Sequence, residues 1–292
     1  MRIGFCTQWF PPERALIPQQ IAQGILANGH DLEVLTGFPN YPTGRLHDGY
    51  PLRPYRLDEW RGAPVHRAPL YPSHDASAVG RIANYLSWAG AASAVAQARV
   101  PKVDAWVVYS SPVTAGLPPV LSPRHHGTPV LTLVQDLWPD SVLDSGMAPA
   151  LAGGPLGRAL QGMCTSLYRR SSLIGVISPG MRHLLVSRGV DDDRIVDLPN
   201  WLEDGHLDPF TPASPARRRS LGLPEGRTFL YAGNLGRLQR LEPLVEAFSL
   251  RPEAHLVLLG DGVVRQELRD LAARLGASNV HFLDPVPASE VG

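Results

Sequence analysis

At 292 residues and 31.7 kDa the chain exceeds one ordinary domain of roughly 100 to 200 residues and suits two. Hydrophobic residues make up 44% and charged residues 18%, which excludes wholesale disorder; 27 basic and 27 acidic side chains cancel, which excludes a global field for nucleic acid. Cys6 and Cys164 alone cannot build a disulfide framework and neither sits in a metal-binding cluster, so the reducing cytoplasm is the expected compartment.

The N-terminus opens directly on a strand, without a basic and apolar leader, and no run of about 18 apolar residues follows. Buried strands are predicted at Ile3 to Gln8, Leu32 to Thr36, Ala105 to Ser110, Pro129 to Asp136, Leu173 to Ser178 and Arg194 to Leu198. Helical patterns alternate with them at Pro18 to Asn28, Ser77 to Arg99, Val113 to His126, Leu156 to Arg170 and Gly180 to Arg188. That rhythm predicts an α/β fold with a parallel sheet covered on both faces. Tyr55 to Trp60 and Val65 to Leu70, separated by Arg61 to Pro64, read as a hairpin added to the sheet.

After Asn200 the texture changes to linker chemistry around Pro209, Thr211, Pro212, Ser214 and Pro215, which places a boundary near 200: domain 1–200 and domain 201–292. The rhythm resumes with strands at Thr228 to Ala232, His255 to Leu259 and Val280 to Leu283 and helices at Leu241 to Leu250 and Val263 to Leu275. This is about half of a doubly wound domain, so the second domain is expected to be incomplete and the chain cut short.

Polar residues just after parallel strands face the ligand crevice. Gly233, Asn234, Gly236, Arg237 and Arg240 follow a strand and precede a helix, which suits a phosphate cradle or, equally, a tight turn. Gly260, Asp261 and Gly262 follow the next strand; there Asp261 reads first as a helix cap and second as a ligand to a hydroxyl. Asp136, in the run Gln135 to Asp140, is the candidate to orient an acceptor hydroxyl or take its proton, with Trp138 and Pro139 as a wall. Trp9 to Arg14 stands where a dinucleotide fold carries GxGxxG, which argues against NAD or FAD. Arg217 to Arg219 read as a solvated face, and His125 and His126 as helix-end dipole contacts. Arg81, Tyr85 and Trp88 share a helix face that is either half-buried or rests on lipid headgroups.

Thr7 to Glu13 and Leu35 to Gly44, continued by Tyr109 to Pro112, Asp136 to Pro139, Leu198 to Trp201, Tyr231 to Gly236 and Gly260 to Gly262, resemble family 4 glycosyltransferases of the O-antigen and colanic-acid (WbuB-like) type along the whole chain. The resemblance implies a GT-B fold, two Rossmann-like domains facing a cleft, with acceptor on the first and nucleoside diphosphate sugar on the second. It implies retaining, metal-independent transfer without a cofactor, to a glycan or lipid-linked glycan acceptor. Peripheral contact with the inner face of the plasma membrane follows from that acceptor, and Glu13 and Asn200 fall at the interdomain cleft. The chain departs from the family pattern at Arg14 to Ile17, bulky where small residues are usual, at Gln135 in place of histidine, and at Gln239 and Arg240 in place of a Lys-Gly or Gln-Gly pair. Asp284 stands where glycine is frequent, and the family's paired glutamates would lie beyond Gly292, with Glu290 no substitute. The alternatives are a catalytically inactive binding module and, further off, a nucleotide-sugar epimerase.

Overall fold

The computed structural model describes residues 1–13, 15–41, 43–73, 78–140, 154–201, 218–219, 222–223 and 225–286. Arg14, Pro42, Ser77, Ser141, the 209–215 linker, Arg217 and Glu290 lie outside them. The chain divides into two compact units, Met1–Asn200 and Trp201–Gly292.

The first unit holds β1 (Arg2–Cys6), β2 (Asp31–Gly37), β3 (Arg56–Trp60), β4 (Ala63–Ala68), β5 (Ala105–Ser110), β6 (Val130–Val134), β7 (Leu173–Val176) and β8 (Ile195–Asp197) in one sheet, ordered β3-β4-β2-β1-β5-β6-β7-β8. Every neighbour is parallel except the β3/β4 pair. That hairpin turns on Arg61 and Gly62, both at positive φ (51° and 82°), so the expected four-residue loop tightens to the two-residue turn that matches strand twist. The strand order reverses between β1 and β5, where chain growth switches from one side of the sheet to the other.

Helices α1 (Leu16–Ala27), α2 (Ala78–Ala98), α3 (Leu117–Leu121), α4 (Pro155–Arg170) and α5 (Pro179–Ser187) cover the sheet. On one face Trp88, Ala92 and Ala96 of α2 pack against Cys6, Leu35 and Trp106; on the other Phe5, Val34 and Val65 meet Ala22 of α1. Cys164 and Leu167 of α4 and Leu185 of α5 close over Val134, Ile174 and Val176. The helix expected over Val113 to His126 is instead a 3-10 turn at Val113–Gly116, the short α3 and a second 3-10 turn at Pro123–His125. Pro123 explains the break: it forces Ser122 out of the helical region (ψ 112°) and donates no N–H. Helix α5 starts on the Ser178 side chain, which accepts from the Met181 N–H, and stops before Gly189 at φ 82°.

The second unit carries β9 (Arg227–Ala232), β10 (Ala254–Leu259) and β11 (Val280–Leu283), all parallel in the order β11-β10-β9, with α6 (Glu242–Ser249) and α7 (Arg265–Arg274). Leu256, Leu258 and Val280 bury against Val245 of α6 and Leu268 and Ala272 of α7. Among the described residues no helix is long and apolar enough to cross a membrane.

Candidate functional site

In the second unit two loops leave the carboxyl ends of adjacent strands and zip together. Gly233 N–H donates to Leu259 O (2.9 Å), Leu235 N–H to Asp261 O (2.8 Å) and Val264 N–H back to Leu235 O (3.1 Å), extending the β9/β10 ladder past both strands. This contact demands glycine. A Cβ on Gly260 would lie 1.9 Å from Gly233 O, and one on Gly262 would lie 2.3 Å from Leu235 O. No backbone carbonyl among the described residues meets the N–H of Asn234, which is exposed, or of Gly236, which is buried, so the Asn234 amide is the one of the two that solvent or an anion reaches.

The two candidate arginines separate in this setting. Arg237 pairs with Glu267 at 2.8 Å on the exposed surface, where such a pair is worth at most about 1 kcal/mol. Arg240 is exposed, meets no carboxylate among the described residues, and sits at φ 46°, ψ 58°. A non-glycine residue in that left-handed region costs about 1–2 kcal/mol, strain that native structures concentrate at binding sites. Asp261 does not cap the next helix, contrary to the preferred reading. The helix begins at Arg265, and Asp261 Oδ1 instead accepts the N–H of Gly262 (2.8 Å), closing its own loop.

In the first unit, the loops after β1, β2, β5 and β6 gather at the carboxyl edge of the sheet. Asp136, just past β6, is exposed, and its Oδ2 accepts from Ser111 Oγ at 2.6 Å. Tyr109 at the end of β5 is pushed up to about 12, first by burial and then by the Asp136 charge. Burial and the same charge raise the Tyr85 phenol, so both hydroxyls remain protonated donors beside the carboxylate. Asn200 Nδ2 donates to Gln135 Oε1 (2.9 Å), tying the end of the unit to the residue before Asp136.

An aromatic row runs along this edge. Trp9 stands 5.6 Å from Tyr41 and 6.4 Å from Tyr85, and Tyr85 meets Trp138 edge to face at 5.9 Å. Of the helix face of Arg81, Tyr85 and Trp88, Trp88 is fully buried against β1, β2 and β5, while Tyr85 is half-buried within the row and Arg81 is partly exposed. His125 is likewise a buried residue and not a helix-end dipole contact, packed edge-on against Trp106 (5.0 Å) with Nε2 near Ala96 O (3.2 Å).

Glu13 is 3% exposed, and its carboxylate accepts three N–H groups, from Phe10 (3.1 Å), Asn40 (2.8 Å) and Tyr41 (2.8 Å). Burial raises its pKa, while those three bonds and the Arg67 charge pull the other way. Its work inside this unit is to staple the loop after β1 to the loop after β2. Arg67, unsuspected from sequence, completes the clamp by pairing with Asp58 and donating to Pro11 O and to Gly37 O (3.0 Å). The one available signal was a charge in a strand that must be buried, which needs a partner. Ser111, also missed, is placed by a loop conformation that no periodicity records.

Residues 17–201 match the family model of the Glycosyl transferase 4-like domain. The chain belongs to this glycosyltransferase family. It is similar to WcaI of Escherichia coli (strain K12), designated a colanic acid biosynthesis glycosyl transferase, at 25% identity over 92% of this chain and 68% of that protein. Among solved structures, HepE of Anabaena, determined with UDP-glucose, aligns with TM-score 0.63 and 16% identity over 99% of this chain and 70% of that one. The catalytic domain of starch synthase IV from Arabidopsis thaliana, bound to ADP and acarbose, aligns with TM-score 0.63 and 12% identity over 99% and 74%. At such identities the likeness establishes the fold, and the fold of this glycosyltransferase is of the GT-B class.

Proposed function

We propose that this glycosyltransferase moves a sugar from a nucleoside diphosphate sugar to a surface-polysaccharide glycan, carried on lipid at the cytoplasmic face of the plasma membrane. The donor diphosphate lies on the Gly233 to Arg240 loop and its Gly260 to Gly262 partner, and the acceptor on the carboxyl edge of the first unit. The observation that carries this reading is the exposed Asn234 amide, met by no backbone carbonyl among the described residues, in the same loop as Arg240, a guanidinium that pairs with no carboxylate among those residues. Fixed donors of this kind favour the charge that builds on a departing diphosphate, and they do so without a metal. Transfer with retention at the anomeric carbon follows the resemblance described above.

On the acceptor side, Asp136 held by Ser111 is a fixed carboxylate beside two protonated phenols, suited to orienting a sugar hydroxyl. The half-buried Trp9, Tyr41 and Tyr85, backed by buried Trp138, offer flat apolar faces to a sugar ring. Titration calorimetry of Arg240→Ala is expected to show nucleoside diphosphate binding weakened about tenfold, as for one charge-assisted contact; equal affinity would remove Arg240 from the site. A full transfer rate in Asp136→Ala would likewise dismiss its role.

A second reading, a binding module without catalysis, draws on β9. Among the described residues it is a sheet edge, with Phe229 and Leu230 49% and 56% exposed, and an open apolar edge invites pairing. Release of free sugar from a nucleotide-sugar donor by the purified chain would count against it.

A further inference from the structure

Arg188 closes α5. Its backbone N–H donates to Leu184 O (3.2 Å) and Leu185 O (3.1 Å) before Gly189 turns the chain at φ 82°. The helix dipole favours a cation at this end, which accounts for an arginine here but not for where its guanidinium goes. The side chain leaves the helix and grips the turn after β6: Nη2 donates to Asp140 Oδ2 at 2.5 Å and Nη1 to Trp138 O at 3.5 Å. The Arg188 side chain is 20% exposed, and both charges of the pair act on the buried Cys164 thiol and Tyr168 phenol of α4, which puts the pair at the rim of that core. A half-buried pair is screened less than an exposed one, and the planar guanidinium fixes direction as well as distance.

The gripped turn carries the acceptor-side residues. Strand β6 ends at Val134 and Asp136 stands two residues beyond it. Trp138 N–H donates to Asp136 O (3.1 Å), while Trp138 O accepts from Arg188, so one short stretch of backbone joins the guanidinium to the carboxylate residue. The buried Trp138 ring also meets Tyr85 at 5.9 Å. Asp136 is thus held from two directions, by Ser111 Oγ on its carboxylate and by Arg188 through the turn. A single hydrogen bond leaves an exposed carboxylate free to pivot with its loop; the second hold removes that freedom.

We propose that Arg188 is a positioning residue for transfer, fixing the 136–140 turn so that the Asp136 carboxylate keeps one direction toward the acceptor hydroxyl. This rests on the acceptor role of Asp136 proposed above. The test reads the Asp136 charge on the Tyr109 phenol and needs no acceptor: spectrophotometric titration directly after each pH jump, every chain measured against its own Tyr109→Phe form. Arg188→Ala is expected to lower the pH at which Tyr109 ionises, toward that of Asp136→Asn, and Arg188→Lys, which keeps a charge beside Asp140, to lower it less. Losing a positive charge by itself moves a phenol upward, so a fall reports a displaced Asp136. Arg188→Ala added to Asp136→Asn should produce no further fall. A Tyr109 curve that does not fall in Arg188→Ala, or a fall of the same size when Asp136 is already Asn, would overturn the assignment; Arg188→Gln carries the same test if circular dichroism shows the alanine variant unfolded. Coupling lost while Asp136→Ala is impaired in transfer removes Arg188 alone, whereas a full transfer rate in Asp136→Ala removes the acceptor reading and Arg188 with it.

Discussion

The Glu13 carboxylate illustrates how a side chain serves a site by holding the loops that form it. Glu13→Ala would strand three buried N–H groups, and a buried donor left unsatisfied costs about 1–3 kcal/mol. Urea denaturation followed by tryptophan fluorescence is expected to show a loss of about 2–4 kcal/mol, with Glu13→Gln, which keeps one acceptor, losing less. Tyr109 supplies a pH test. Its folded pKa of about 12 exceeds the ordinary phenol value of about 10. Its contribution is therefore complete below about pH 10 and falls as pH rises through 12. Asp136→Asn removes one cause of that shift, so spectrophotometric titration should find a phenol ionising at lower pH in the variant; an unchanged curve would separate Tyr109 from Asp136.

At the scale of elements, the proposed donor loops depend on two backbones meeting without a side chain between them. Gly262→Ala forces a methyl into Leu235 O, and neither backbone can yield without breaking the Leu235 to Asp261 bond. Loss of nucleoside diphosphate binding together with local destabilisation of α7 by hydrogen exchange is expected. Gly236→Ala provides the contrast, because the nearest atoms to its Cβ, Asn234 Nδ2 and Gln239 Oε1, belong to side chains that can swing aside. Helix α2 shows the converse dependence on bulk. Trp88 is fully buried against β1, β2 and β5, and Trp88→Ala should cost about 3–5 kcal/mol in a chemical denaturation measurement.

Across the whole molecule, formal charge is zero and the sequence pI is about 7.2. A chain without net charge lacks the self-repulsion that keeps proteins apart in solution. Light scattering across pH 5.5 to 9 is expected to show a solubility minimum near neutrality. The same balance means that a polyanionic donor meets no attractive field at long range. In the proposed donor site its recognition rests on Arg240 and the Asn234 amide, and its affinity should fall only modestly with added salt.

Much of the architecture could be read directly from the chain. Apolar runs of four to six residues alternating with amphipathic stretches specify parallel strands and their crossovers, because each must bury a face of fixed period; the β5 bounds agree to the residue. The glycines after β9 and β10 were legible for the same local reason, since so few residues tolerate close backbone contact. Other features depended on which loops the topology brings together. The staple of Glu13 joins residues 27 and 28 positions apart, and Ser111 reaches Asp136 across 25. Neither Arg67 in its clamp nor the contrast between Arg237, paired with Glu267, and Arg240, which meets no carboxylate among the described residues, leaves a periodic trace. Strand and helix propensities are properties of neighbours in sequence, and the chain carries them openly. Hydrogen bonds and ion pairs between loops are properties of neighbours in space, and only the folded sheet decides which those are.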